Sequence, residues 1–106
     1  SWSRGLGDVY KRQSPVKADP AAGQLLVSLR IDSEAVVRSN CIWALGRLMD
    51  QLVQPRQAEI VEALVSALLH DGEISVRDEA RTALEQLEDP LVLERLQALI
   101  NDGFIL

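Results

Sequence analysis

The sequence predicts an all-α fold in which pairs of helices recur along the chain. Three observations carry that expectation. Apolar residues return at helical spacing with no strand-like alternation, the four prolines fall outside the periodic segments or just where one starts, and the chain aligns with itself. A proline inside a helix removes a hydrogen bond and clashes with the turn before it, so Pro15, Pro20, Pro55 and Pro90 read as punctuation.

The elements follow in order. Asp19 before Pro20 reads as an N-cap with proline at the first helical position, opening a helix to about Arg30 that turns Ala22, Leu25, Leu26 and Leu29 inward. A second helix is expected from about Ser33 to Gln51, a third from Gln57 to His70, a fourth from Ile74 to Leu87, and a fifth from Pro90 to Asn101. On the second, Val37, Cys41, Ala44, Leu45 and Leu48 share one stripe; on the fourth, Val76, Ala80, Ala83, Leu84 and Leu87 do the same.

Sliding the chain against itself by 39 places superimposes Leu25 on Leu64, Asp32 on Asp71, Val37-Arg38 on Val76-Arg77 and Ala44-Leu45 on Ala83-Leu84. A slide of 31 places superimposes Ala67-Leu68 on Ala98-Leu99, Asp71-Gly72 on Asp102-Gly103 and Ile74 on Ile105. The unit is therefore about 31 residues, and MDQLVQPRQ lengthens the first interval by about eight. Phe104, Ile105 and Leu106 stand where the second helix of a third repeat should begin, so the chain either closes on a half repeat or is cut there.

A helix, a short turn with aspartate, then V-R-x-x-(small)-x-x-A-L resembles the HEAT repeat, in particular its short bacterial form named after phycobilisome lyase subunits. The carriers are DSEAVVRSNCIWALGRL and DGEISVRDEARTALEQL. After a lead-in at 14–19, the resemblance covers residues 20–106: one repeat at 20–51, a second at 57–89 and half of a third at 90–106. It implies an α-α superhelix, a solenoid of about two and a half stacked antiparallel helix pairs, right-handed, with second helices lining the concave side. It also implies that Asp32 and Asp71 in the turns, with Arg38 and Arg77 one helical turn inside, form a polar ladder between neighbouring repeats. Physical chemistry is compatible: a turn aspartate can accept unpaired backbone N–H groups, and arginine offers a planar fork to its carboxylate. Ordinary solvent-facing capping is the alternative for these four residues.

The stretch Ser3–Gln13, SRGLGDVYKRQ, resembles residue for residue the forward translation of a common transposase sequencing adaptor, so residues 1–13 are set aside as non-native. That removes three basic residues and one acidic one, taking the net charge from −5 to −7. Such acidity argues against nucleic acid or an anionic membrane as the main partner. Cys41 is the only cysteine and forms no internal disulfide, and no apolar run approaches membrane-spanning length, so a cytoplasmic setting is expected.

Chemistry is hard to find. No cysteine or histidine pair has metal-ligand spacing, no glycine-rich phosphate loop exists, and the one histidine, His70, suits the last turn of its helix. Cys41 reads as a small buried apolar residue, Gly46 as a point of close helix approach, and the carboxylates of the fourth helix as a solvated face. Neither a cofactor nor enzymatic activity is expected.

Trp43 is the exception. It points roughly opposite the apolar stripe, beside Val36, Asn40 and Arg47, where the fourth helix carries Ser75, Glu79, Thr82 and Gln86. Tryptophan and arginine are the residue types most enriched at interface hot spots, so Val36, Asn40, Trp43 and Arg47, with Glu79 and Thr82, form a candidate partner-binding patch. The alternative is that Trp43 packs against a preceding repeat or covers its own helix. The expected function is a protein-binding scaffold within a larger solenoid, its acidic second repeat favouring a basic segment of a partner protein. The repeat subtype also suggests a bilin lyase or chromophore-handling subunit, and a regulatory solenoid fused to an enzyme domain is a third reading.

Overall fold

The computed structural model describes residues 15–104; the adaptor-like stretch 3–13 lies outside them, as do Ile105 and Leu106. Among the described residues there are five α-helices and no strand: α1 (Pro15–Ile31), α2 (Ala35–Leu48), α3 (Gln54–His70), α4 (Ile74–Gln86) and α5 (Pro90–Asn101), with a 3-10 turn at Met49–Gln51.

The start of α1 departs from expectation. Asp19 does not cap the helix and Pro20 is not its first residue; the helix begins at Pro15, so Pro20 lies inside it and the supposed lead-in is helical. Burial explains this, because Ala18 and Ala22, one turn apart, are both fully buried and an earlier start extends the contact stripe by a turn. Pro20 forfeits the one hydrogen bond its missing N–H would make to residue 16, and its ring stays on the exposed side. Released from capping, the Asp19 carboxylate pairs with Arg56 on α3, at 2.9 Å from Nε.

Both second helices start through the same device. The Asp32 carboxylate accepts the Glu34 N–H at 2.8 Å and the Asp71 carboxylate accepts the Glu73 N–H at 3.0 Å, each two residues on. This bracing delays the start of α2 to Ala35. The extra residues after α2 do not extend it as an α-helix: Met49–Gln51 form the 3-10 turn and Gln54 starts α3 ahead of the expected Gln57, whose side chain fastens the turn to α3 by donating to the Met49 carbonyl at 2.6 Å. Proline at the head of α3 and of α5 marks both starts, and Asp89 caps α5 by accepting the Leu91 N–H at 2.9 Å. At the far end of α5 Gly103 takes a positive φ of 99°, the αL geometry that glycine adopts without strain, and lets Phe104 N–H reach the Leu99 carbonyl.

The helices pair α1 with α2 and α3 with α4, and α2 then packs along α4 about as intimately as each does on its own first helix. By contrast α1 and α3 scarcely touch. A stack whose second helices approach more closely than its first helices bends toward the second-helix side, so α2 and α4 form the inner face. One continuous core runs through the stack, from Ala22, Leu25 and Leu29 through Leu45 and Leu48 to Leu64, Leu84 and Leu96.

Candidate functional site

Arg38 on α2 is the hub of the polar ladder. Its Nη1 donates to the Asp32 carbonyl at 2.9 Å, fixing the guanidinium over its own turn, while Nε and Nη2 grip the two Asp71 oxygens of the next repeat at 2.9 and 3.1 Å. Arg77 repeats the first half of that arrangement by donating to the Asp71 carbonyl at 2.6 Å, but it forms no ion pair among the described residues. One full rung is therefore made, from Asp32 through Arg38 to Asp71. Burial alone would lift the Asp71 carboxyl; the Arg38 fork, the Glu73 N–H and the neighbouring guanidinium charges outweigh it and hold Asp71 below the usual carboxylate range. The rung ties the turn after α3 to α2 of the preceding pair.

The candidate patch is resolved into two parts. Trp43, Arg47 and Glu79 line one cleft of about 350 Å³ between α2 and α4, floored by Gly46 and Ala83. The Arg47 guanidinium lies over the Trp43 indole, 5.1 Å from its centre, in cation–π contact. A second hollow continues the cleft past Gly46, Gln86 and Leu87 to Asp50 and Asp89, so the whole runs from Trp43 at one end to a pair of carboxylates at the other. Val36, Asn40 and Thr82 do not line it: Val36 is 71% exposed at the start of α2, Asn40 is half-buried and Thr82 is exposed.

Two expectations are corrected here. Trp43, expected to point opposite the apolar stripe, is half-buried and packs against the core, where it also borders the α2–α4 cleft. Gly46 is not required for close helix approach, since a Cβ there would meet the Ala83 methyl at 3.8 Å, an ordinary contact. The glycine instead leaves the floor of the cleft low.

Sequence reasoning missed several residues. Ile42 is completely buried although it lies off the predicted stripe, because α2 is covered by both α1 and α4 and its buried arc is correspondingly wide. An isoleucine where the other repeat has Arg81 was the available signal. Two ion pairs joining successive first helices, Asp19–Arg56 and Glu62–Arg95, carry no sequence signature, as their spacings of 37 and 33 residues depend on how the repeats stack. Hydrogen bonding from Arg56 lowers the Asp19 carboxyl, and Arg95 does the same for Glu62. Cys41 is buried, which pushes its thiol up, and His70 closes α3 at an exposed position. Among the described residues no group of three or more histidine, cysteine, aspartate or glutamate side chains is placed to hold a metal ion, and no helix is long and apolar enough to cross a membrane.

Comparison with known proteins gives one match. Searches of curated proteins and of solved structures find none. A family model described as HEAT repeats matches residues 20–104, which takes in most of α1, all of α2 to α5 and the Asp32–Arg38–Asp71 rung. That coverage, with five helices packed pairwise, establishes that the chain belongs to the HEAT-repeat family.

Proposed function

We propose that this chain is a non-catalytic protein-binding scaffold whose α2–α4 cleft receives a basic segment of a partner protein. The observation that carries the reading is the composition of the cleft: an indole already desolvated by Arg47 at one end, small and apolar floor residues, and Glu79, Asp50 and Asp89 around it. An aromatic anchor beside an acidic rim suits a lysine or arginine side chain flanked by an apolar one. The incoming cation finds carboxylates with no arginine partner there, whereas most carboxylates elsewhere on the first helices are paired.

The test is fluorescence titration of a Trp2→Phe background, in which Trp43 is the remaining indole. A lysine-rich peptide with one leucine should change Trp43 emission saturably, an acidic peptide of equal length should not, and Glu79→Lys should weaken the first response by about tenfold. Equal responses to both peptides would refute the reading.

A further inference from the structure

The opposite face of the stack holds a second groove. Because α1 and α3 scarcely touch, a hollow of about 470 Å³ opens between them, roughly three times the ~150 Å³ of an apolar cavity that takes up benzene. Its floor is Leu26 and Leu29 of α1, and its α3 wall is built from Ala63, Ser66 and Ala67, side chains too small to fill the gap. Toward the N-terminal end of α3, the Arg56 guanidinium lies against Gly23, Nη2 3.5 Å from where a Cβ would stand, and reaches across to Asp19. The ion pair ties α1 to α3 beyond that end of the groove.

Its two ends differ in charge. At the C-terminal ends of α1 and α3 lie Arg30 and His70, both exposed, and Asp71, whose carboxylate is taken up by the Arg38 fork; Arg30 has no ion pair among the described residues. Toward the N-terminal ends lie Glu59 and Glu62, whose side chains stay more than half exposed although each has an arginine neighbour. The helix dipoles of α1 and α3 run in the same sense along the groove, with their partial negative ends beside Arg30.

We propose that the α1–α3 groove docks an amphipathic helix of a partner protein, lying antiparallel to α1 and α3, with a carboxylate in its first turn, a leucine-rich stripe and a lysine or arginine in its last turn. In that orientation the partner's N-terminal dipole end sits beside the C-terminal ends of α1 and α3, and its first-turn carboxylate meets the unpaired Arg30. The leucine stripe enters the hollow over Ala63 and Ser66, and the terminal cation joins Glu59 and Glu62. The distance from Glu59 to His70 is eleven residues of helix, about 16 Å, so a helix of about three turns spans it. Parallel docking would oppose the dipole and both end-charge terms. The proposal is independent of what occupies the α2–α4 cleft.

Calorimetric titration of the full chain with two stapled peptides tests it. The first carries glutamates in its opening turn, leucines at i, i+3, i+4 and i+7, and lysines in its last turn; the second keeps the leucines and exchanges the charged ends. The first should bind with a dissociation constant of about 10–100 μM and the second at least about tenfold more weakly. Arg30→Glu should erase the preference, Ser66→Arg should abolish binding, and Glu79→Lys in the other cleft should change nothing. Arg30 and Ser66 are exposed, so melting curves of the variants should match the parent. Equal binding of the two peptides, no binding at about 1 mM, or binding that survives Ser66→Arg would each overturn the proposal. So would a concentration-dependent dimer dissolved by Ser66→Arg, which would identify the groove as a contact between copies of this chain.

Discussion

Arg38 and Asp71, 33 residues apart, meet as a two-pronged fork with side chains only 14% and 10% exposed. The pair joins the turn of one helix pair to the second helix of the preceding one. Removing either partner leaves the other ionised and poorly hydrated. Asp71→Asn keeps the shape but removes the negative charge and turns one of the fork's two acceptors into a donor; Arg38→Lys keeps the charge but loses the fork. Both should lower the melting midpoint, Arg38→Lys by about 5–10 °C, read by circular dichroism. Arg77→Lys should shift it less, because its guanidinium closes no second contact.

Acid should undo the same contacts. Asp71, Asp19 and Glu62 all titrate below their ordinary values, the last two chiefly through hydrogen bonds from Arg56 and Arg95. A carboxyl whose folded value is depressed adds stability that is present above its unfolded value, near 4, and disappears as pH falls through the folded one. Urea midpoints should therefore be flat from about pH 8 to 5 and drop below about pH 4. A midpoint that rose on acidification would contradict the assignment of these pairs.

Positions related by the repeat separate packing from pattern. Ile60 on α3 and Leu91 on α5 are equivalent under the 31-residue slide, yet Ile60 is fully buried and Leu91 is 75% exposed. Ile60→Ala should cost about 2–4 kcal/mol, a large part of the stability of a domain this size, whereas Leu91→Ala should stay within about 0.5 kcal/mol. Chemical denaturation of both variants measures the contrast.

That contrast also shows what the residues alone could reveal. Helix number, the repeat, the turn aspartates and most of the core stripe were legible because they depend on local periodicity and on identities 39 or 31 places apart. The start of α1 was not legible. Local rules favour proline at the head of a helix and offer both Pro15 and Pro20; the burial of Ala18 and Ala22 selects the earlier by tertiary contact. The candidate site was legible in part: Trp43, Arg47 and Glu79 come together in one cleft, while Val36, Asn40 and Thr82 share a helix face with them but not the hollow. A helical wheel gives direction around one helix and says nothing of how far the neighbouring helix covers it. The α1–α3 groove had no sequence signal at all, as it arises from the spacing between helices.

Trp43 carries two roles that its neighbour does not. The half-buried indole packs on the core, so Trp43→Ala should cost about 1–2 kcal/mol and also remove the aromatic end of the cleft. Arg47 is exposed and touches the ring from outside, so Arg47→Ala should change stability by no more than about 1 kcal/mol. Peptide titration beside thermal melts distinguishes the two. Loss of peptide binding in Trp43→Phe, which retains most of the packing, read by calorimetry because the fluorophore is gone, would assign the indole itself to recognition.

Gly46 tests the cleft most directly. Glycine in the interior of α2 costs roughly 0.5–1 kcal/mol relative to alanine, and an added methyl would meet only the Ala83 methyl at 3.8 Å. Gly46→Ala should therefore raise stability by about that amount, with at most a small effect on the volume beside Trp43. A larger side chain has nowhere to go except into the hollow between Trp43, Arg47 and Glu79. Gly46→Leu should keep the helix, fill the cleft and abolish the response to a lysine-rich peptide while the protein stays folded. If Gly46→Leu leaves that response unchanged, the peptide binds elsewhere and the α2–α4 cleft is not the recognition surface.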